Sequence, residues 1–394
     1  MSEDGAVRLS TAVMTHPRRL RWAKELAGSL PGAEVVTDPE PDRPPNPLRT
    51  ATVAWGRTHP AATHHAVFQD DVALAPDILE IVAEGAARFP GAAVGYYANW
   101  DSRNGAAVRL AGVAGASWVR GRPEEYTPTL ALCLPAPLAR RFASRAAAAG
   151  RREDDEAMSV FLREEGCPLY LSVPTPVEHL GGESIAGMGH HGVRRSACFA
   201  AEPGVRESLR AGAVLERVAW IPYFRAGRGP HVLLARGRGP EVDCLPWEDA
   251  LPAIGVPPRA VRESGPGRDP TAAAARRAVG AELGEEFAGQ LRVHGFLVGW
   301  QAAHVAAHVA PGATEPGRAV ARLAADRAAG SLGIAAVARE RRAEVSAGGL
   351  TALAEWGRAW VHRGRRARLR TATAAPGTLS DVVVLAQMRS TPNV

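Results

Sequence analysis

The sequence predicts an α/β protein with a second, smaller domain. The chain has 394 residues, which is enough for two domains of ~100–200 residues each or for one elaborated domain. Its 46% hydrophobic and 22% charged residues are typical of a globular protein. Strand-like and helix-like segments alternate in the first half, as in a sheet covered by helices. We therefore expect an α/β domain over residues 1–205, a smaller α+β or mostly helical domain over 212–375, and a loosely held tail over 376–394.

The elements of the first half follow from hydrophobic periodicity and from proline. Residues 17–30 repeat apolar side chains at helical spacing, whereas the proline-rich residues 39–47 predict a loop. The predicted strands span residues 8–16, 33–38, 64–71, 91–99, 112–121, 124–135 and 168–174. The predicted helices span residues 17–30, 48–63 with a break at Pro60, 76–89, 136–150 and 154–166.

The second half has a weaker pattern. The predicted strands there span residues 216–224, 230–237 and 291–300, and the predicted helices span 269–287, 318–330 and 349–370. Residues 230–239 and 267–286 are similar to the strand and helix of a Nudix domain, but only Glu282 remains of the glutamates that such a hydrolase needs. We expect an Ala-rich helix without that ancestry, and keep an inactive Nudix-like module as the alternative.

Several classes of protein are not expected from the composition. No apolar stretch reaches the ~18–20 residues of a membrane span, and the acidic N-terminal segment is unlike a signal peptide, so we expect a cytoplasmic protein. The four cysteines are isolated from one another, which predicts reduced thiols. The net charge of +6 comes from arginine and favours anionic ligands, but nucleic acid is not the expected partner.

Two adjacent aspartates end a buried strand within residues 63–77. Side chains alternate along a strand, so Asp70 shares a face with Phe68, and Asp71 falls at the strand end. Ligands of open α/β sheets collect beyond the carboxyl ends of strands, and a divalent cation would offset the repulsion between two carboxylates. The competing interpretation is a turn followed by a helix that begins near Asp77.

The order of the motifs resembles that of a GT-A type glycosyltransferase. The resemblance lies in "TAVMTHPRR", "AWGRTH", "HHAVFQDDVALAPD", "LALCLPAPLARRF" and the longest block, "REDDEAMSVFLREEGCPLYLSVPTPVEHLGGESIAG". It is closest to the branch with an EDD or QDD motif, which includes lipooligosaccharide and procollagen galactosyltransferases. The resemblance implies a Rossmann-like domain that binds a nucleotide-sugar, with a UDP-sugar as the expected donor and Mn²⁺ or Mg²⁺ as the cofactor.

The family's metal site can be carried over at matching residues. The resemblance implies that Asp71 binds the metal, that Asp70 reaches the metal or the donor ribose, and that His179 completes the metal shell. Gln69 departs from the family, where this position is often acidic. For His179, a loop histidine bonded to the backbone is the alternative.

The resemblance also implies donor-binding and catalytic residues. Thr15, His16 and Arg18 follow the first strand, where the donor would lie, and Arg18 or Arg19 is expected to contact a phosphate, with solvated arginines as the alternative. Arg194 is a candidate for the pyrophosphate, with a surface loop as the alternative. The glycine-rich residues 177–192 could form a flap over the donor. Trp100 and Trp118 are candidates for stacking on an acceptor sugar, with burial in the core as the alternative.

Asp154 and Asp155 begin a predicted helix. Capping explains one of them, and the resemblance implies that the other is a general base toward the acceptor hydroxyl, without selecting which. The expected activity is therefore transfer of a sugar from a nucleotide-sugar to a hydroxyl-bearing acceptor. The alternative is a non-catalytic nucleotide-binding protein with a C-terminal interaction module. The sequence assigns neither the acceptor nor an oligomeric state.

Overall fold

A computed structural model of the chain describes residues 6–146, 152–181, 192–236, 241–265, 269–309, 314–367 and 383–385, the last by backbone alone. The strands are β1 Leu9–Thr15, β2 Glu34–Thr37, β3 His64–Gln69, β4 Val72–Leu74, β5 Ala93–Gly95, β6 Trp118–Arg120, β7 Ala131–Pro135, β8 Leu169–Ser172, β9 Val177–His179, β10 Val214–Arg217, β11 Trp220–Arg225, β12 Gly229–Ala235, β13 Val242–Pro246 and β14 Val383–Leu385.

The helices cover much of the remaining chain. They are α1 Leu20–Gly28, α2 Pro47–Gly56, α3 Ile78–Arg88, α4 Arg103–Ala114, α5 Ala136–Ala146, α6 Asp154–Glu164, α7 Val205–Ala211, α8 Trp247–Ala253, α9 Pro258–Arg262, α10 Pro270–Leu283, α11 Glu285–Ala306, α12 Glu315–Ala336 and α13 Ala347–Arg366. Two short 3₁₀ helices span Pro17–Arg19 and Arg339–Glu344. The predicted α/β class is confirmed at this level.

A nine-stranded mixed sheet forms the centre of the molecule. Its strand order is β2-β1-β3-β7-β5-β8-β6-β10-β14. Strand β1 pairs in parallel with β2 and β3, and β7 runs antiparallel to β3. The carboxyl ends of β2, β1 and β3 therefore meet at one edge of the sheet, which is where ligands bind in open α/β folds.

The strand registers bring distant polar residues together at this edge. Met14 of β1 lies opposite Gln69 of β3, so the next residues along the two strands, Thr15 and Asp70, are neighbours. Strands β4 and β9 form a separate antiparallel pair in which Val72 lies opposite His179. This pairing carries His179 to the segment that directly follows the two aspartates.

The C-terminal half packs directly against the first half. A three-stranded sheet of order β11-β12-β13 and helices α10 to α13 share one hydrophobic core with helix α4. Eleven consecutive residues of α4, from Asn104 to Ala114, are buried. Strand β10 lies beyond the predicted boundary at residues 205–212 and pairs with β6 in the main sheet, while α7 occupies the boundary itself.

One predicted element of the second half is wrong. Residues 291–300 were expected to form a strand, but they lie within helix α11. That helix is buried around much of its circumference, between α4, α13 and the smaller sheet, so its apolar residues do not show the one-sided spacing of a surface helix.

The ends of two predicted segments also differ from the expectation. Residues 112–121 were expected to be a strand, but α4 extends to Ala114 and β6 occupies only Trp118–Arg120. Of the predicted tail, Val383–Leu385 pairs antiparallel with β10, and its other residues lie outside the described ones. None of the helices in the described ranges is long and apolar enough to cross a membrane.

Candidate active site

A cleft of about 500 Å³ lies at the carboxyl ends of β1 and β3. It is lined by almost all of the residues that the sequence nominated: Thr15, His16, Asp70, Asp71, Asp154, Asp155, His179 and Arg194. Arg18 does not line it and is exposed. Neither Trp100 nor Trp118 lines it, and both are buried, whereas Tyr97 and Tyr126 supply aromatic rings to the cleft.

Asp70 is buried at the end of β3. Its carboxylate accepts a short hydrogen bond from the Thr15 hydroxyl, and Arg19 Nη1 lies 3.2 Å from Asp70 Oδ1. Burial raises the pKa of Asp70, and the charge of Asp71 adds to this, while the bonds from Thr15 and Arg19 act in the opposite direction. Asp70 therefore holds its charge only through neighbouring donors and cations.

Asp71 lies beside a cation and an imidazole. Arg19 Nη1 is 3.1 Å from Asp71 Oδ2, and His179 Nε2 is 3.4 Å from the same oxygen. Burial alone would raise the pKa of Asp71, but the hydrogen bond and charge of His179, together with Arg19, hold that pKa below its usual value. The other oxygen, Oδ1, is buried and has no hydrogen-bond partner within the part of the chain that the structure describes. A buried carboxylate oxygen without a donor is the kind of group that a bound cation satisfies.

The orientation of His179 suits a metal ligand. Its Nδ1 lies 2.8 Å from the carbonyl oxygen of Arg194, and because a carbonyl only accepts, Nδ1 is the donor. In the charged ring Nε2 donates to Asp71, which is the interaction that lowers the pKa of Asp71. In the neutral ring the lone pair would be on Nε2, and a cation between Nε2 and the Asp71 carboxylate would satisfy both. The alternative expected for His179, a hydrogen bond to the backbone, is therefore also present, and it fixes the orientation of the ring.

The residues fit a divalent ion as a partial ligand set. Asp70, Asp71 and His179 supply carboxylate oxygens and an imidazole nitrogen, a donor set that suits Mn²⁺ and Mg²⁺. Within the part of the chain that the structure describes, no three His, Cys, Asp or Glu side chains form a closed metal-binding group. A metal ion here would therefore take its remaining ligands from a bound substrate or from water.

Of the two arginines that the sequence left open as phosphate ligands, Arg19 lines the cleft and Arg18 does not. The 3₁₀ helix Pro17–Arg19 turns Arg18 toward solvent and Arg19 into the cleft, after His16 Nδ1 accepts from the Arg18 N–H. The Arg19 guanidinium also lies over the Trp22 ring, 5.2 Å from its centroid. The signal was the proline that begins this helical turn, which fixes the direction of the next two side chains.

Asp154 is the buried member of the second acidic pair. It is 6% exposed at the first position of α6, and burial raises its pKa. Gln69 Nε2 lies 3.5 Å from Asp154 Oδ2 and 3.4 Å from Thr129 Oγ1. A carboxylate in place of the Gln69 amide would face and be repelled by the Asp154 carboxylate. The amide at this position, which is often acidic in the family that the chain resembles, is therefore compatible with its surroundings.

Asp155 is the member of the pair that suits acid–base chemistry. It is half-buried, lines the cleft and accepts a hydrogen bond of 2.7 Å from the backbone N–H of Glu156. Burial, followed by the charge of Asp154, raises the pKa of Asp155 to about 7. The residue at the N-cap of α6 is Glu153, so capping does not account for either aspartate. A carboxyl group of this pKa can accept and release a proton near neutral pH.

The other end of the cleft follows strand β2. Asp38, directly after β2, is held by Arg49 through bonds of 2.7 and 2.6 Å to its two oxygens. Burial would raise the pKa of Asp38, but the Arg49 guanidinium and a backbone N–H hold it below its usual value. Asn46 caps α2 and, with its two flanking prolines, lines the cleft beside this ion pair. Residues 182–191, which include most of the predicted glycine-rich flap, lie outside the described residues.

The comparisons with known proteins do not place the chain in a family. No protein-family model matches it. No curated protein matches it either.

Proposed function

We propose that this protein is a metal-dependent GT-A type glycosyltransferase, which moves a sugar from a nucleotide-sugar to a hydroxyl group. The expected donor is a UDP-sugar, and the expected metal is Mn²⁺ or Mg²⁺. The observation that carries the proposal is that one cleft is lined both by Asp70, Asp71 and His179 and by Asp155. The first group is suited to a metal-bound diphosphate, and Asp155 is suited to an attacking hydroxyl.

The donor side would act through charge. A bound divalent ion would neutralise the diphosphate as it leaves. Asp71 and His179 would hold that ion, and Arg19 would be released from the two aspartates to face a phosphate. A guanidinium pairs well with phosphate oxygens because its N–H groups match their geometry. Thr15 would keep Asp70 in place through the hydroxyl bond that it already makes.

The acceptor side would act through Asp155. In an inverting transfer the acceptor oxygen forms a bond to the anomeric carbon as the bond from that carbon to the phosphate oxygen breaks. The acceptor hydroxyl loses its proton to the Asp155 carboxylate, and the bonding electrons leave with the diphosphate. The pKa of about 7 makes this carboxylate a stronger base than an exposed aspartate. Asp154, buried behind it, helps to raise that pKa.

A non-catalytic nucleotide-binding protein is the second candidate. The amide of Gln69 favours it, because the motif carries one acid fewer than many glycosyltransferases of this branch. Both candidates require a nucleotide in the cleft, but only the enzyme requires Asp155 to take up a proton.

A screen of nucleotide-sugars tests the proposal. The full chain with Mn²⁺ is incubated with UDP-, GDP- and CMP-sugars, and free sugar is measured, since a transferase can pass its sugar slowly to water. We expect release from one donor, loss of release in Asp71→Ala, and about 100-fold slower release in Asp155→Asn with nucleotide binding retained. Binding without release, even with cell extract as the source of acceptors, would favour the second candidate. Absence of any nucleotide binding would overturn both.

A further inference from the structure

The C-terminal half contributes a cation to the cleft. Arg339 begins the 3₁₀ helix between α12 and α13, and its side chain lines the cleft together with Asp155. The guanidinium donates to Asp101 through Nε at 2.8 Å and through Nη2 at 3.3 Å. These bonds hold one edge of the guanidinium on Asp101 and fix the position of its charge at the cleft.

The charge behind Arg339 is not balanced by Asp101 alone. Arg342 also donates to Asp101, with Nη2 2.8 Å from Oδ2, so that one buried carboxylate serves two guanidinium groups. Arg342 is itself buried and donates to the carbonyl oxygen of Val193 at 3.1 Å. Glu125, another acid in the cleft lining, is bonded to the backbone N–H groups of Arg103 and Tyr126. Asp101 therefore balances only one of the two charges that Arg339 and Arg342 bring to it.

Two polar groups of the cleft lining lack hydrogen-bond partners among the described residues. Asn99 is 3% exposed, and its Oδ1 is one of them. The buried Nε of Arg194 is the other. A bridge between Asn99 and Ser196 keeps the two segments side by side. A buried acceptor and a buried donor that both lack partners indicate a polar ligand that carries a hydroxyl and an anionic group.

Arg339 and the proposed base line the same cleft, and Tyr126 lies within electrostatic reach of both Arg339 and Asp155. Of the metal-binding candidates, Asp71 is instead in contact with Arg19, and His179 is in contact with Asp71. A charge that shares the cleft with Asp155 can face the acceptor, which must approach the anomeric carbon opposite the leaving diphosphate.

We infer that the acceptor carries a carboxylate or phosphate near its reacting hydroxyl, and that Arg339 binds this anionic group. The inference rests on the proposed function, because it takes Asp155 as the base. Arg194 would donate to the same ligand, and the Asn99 carbonyl would accept from one of its hydroxyl groups. The C-terminal half then determines which acceptor is used, since it supplies Arg339 and the buried Arg342 behind it.

Matched anionic and neutral compounds test the inference by calorimetry. The full chain is first saturated with UDP and Mn²⁺, and is then titrated with glucuronate, glucose 6-phosphate or glucose. We expect the anionic compounds to bind at least about tenfold more tightly than glucose, as for a charge-assisted hydrogen bond. Arg339→Gln should remove that preference. Arg341→Gln removes an equal charge from an exposed position of the same 3₁₀ helix and should keep it.

The titrations with UDP and Mn²⁺ and those with the sugar compounds distinguish failure of the inference from failure of the proposed function. If UDP and Mn²⁺ do not bind to the wild type, the proposed function fails and the inference with it. If they bind but glucose binds as well as the anionic compounds, or if Arg341→Gln loses as much as Arg339→Gln, the inference alone is overturned. A loss of UDP affinity in Arg339→Gln would assign this cation to the donor instead. Arg339→Lys keeps the positive charge. If this variant still prefers the anionic compounds to glucose, the effect of Arg339→Gln comes from the lost charge and not from misfolding.

Discussion

At the level of single residues, Asp155 connects the geometry of the cleft to a measurable pH dependence. A base must lose its proton before it can accept one, and burial with the charge of Asp154 raises the pKa of Asp155 to about 7. The rate of donor hydrolysis should therefore rise with pH through about 7 and level off above it. In Asp155→Asn we expect a rate lower by about 100-fold without that rise. A wild-type rate that stays constant between pH 5.5 and 8.5 would contradict the assignment.

Gln69 gives a second prediction at this level. In Gln69→Glu, a carboxylate would lie where an amide now lies 3.5 Å from Asp154. Repulsion between two buried acids should lower the free energy of unfolding by about 1–3 kcal/mol at pH 8. The loss should be smaller at pH 5, where one of the acids takes up a proton. Urea denaturation of the wild type and of Gln69→Glu at pH 5 and pH 8 measures this loss. An equal loss of unfolding free energy at the two pH values would indicate a steric cause.

The sequence indicated some of these residues and not others. Asp71 and His179 were found because the motifs that contain them are contiguous and ordered. The choice between Arg18 and Arg19 stayed open in the sequence, because only the geometry of a short 3₁₀ helix decides which arginine enters the cleft. The contribution of Arg339 depends on a contact with Asp101, and no local pattern in the sequence reports a pairing over that separation.

At the level of elements, helix α11 shows where pattern reading failed. Its apolar residues resemble a buried strand over ten positions because the helix is covered on several sides. Strands β1 and β3 were predicted well, since each ends at a polar residue and is followed by a turn. A short, enclosed apolar run is therefore read as a strand, which is correct for β1 and β3 and wrong for the same kind of run in α11.

The glycines of α11 test its packing. A Cβ at Gly299 would lie 1.9 Å from the carbonyl oxygen of Val361 on α13, so Gly299→Ala forces the two helices apart. We expect a loss of about 1–3 kcal/mol in the free energy of unfolding, as for an overpacked core. Gly289→Ala, on the same helix with no atom within 4 Å, should instead stabilise the protein by up to about 1 kcal/mol. Equal effects of the two substitutions on urea denaturation would contradict the close approach of α11 and α13.

At the level of the whole molecule, the two halves share a core around helix α4. The helix belongs to the first half of the chain but packs with α11 and α12 of the second. We therefore expect one unfolding transition in calorimetry, with the van't Hoff enthalpy close to the calorimetric enthalpy. Two resolved transitions would show that the halves unfold independently. The boundary predicted from the sequence followed a change of pattern, and a shared core leaves no such signal along the chain.

The central claim is that the two aspartates at the end of β3 bind a metal ion together with a nucleotide diphosphate. The most direct measurement is thermal unfolding of the full chain with Mn²⁺ and UDP, alone and combined, in the wild type, Asp71→Ala and Asp77→Ala. Asp77 is an exposed aspartate six residues further along, at the start of α3, and controls for the loss of a carboxylate. We expect UDP with Mn²⁺ to stabilise the wild type and Asp77→Ala by about 2.7 kcal/mol at a ligand concentration of 100 Kd, and Asp71→Ala not at all. Equal stabilisation of Asp71→Ala, or none in the wild type, would contradict the claim.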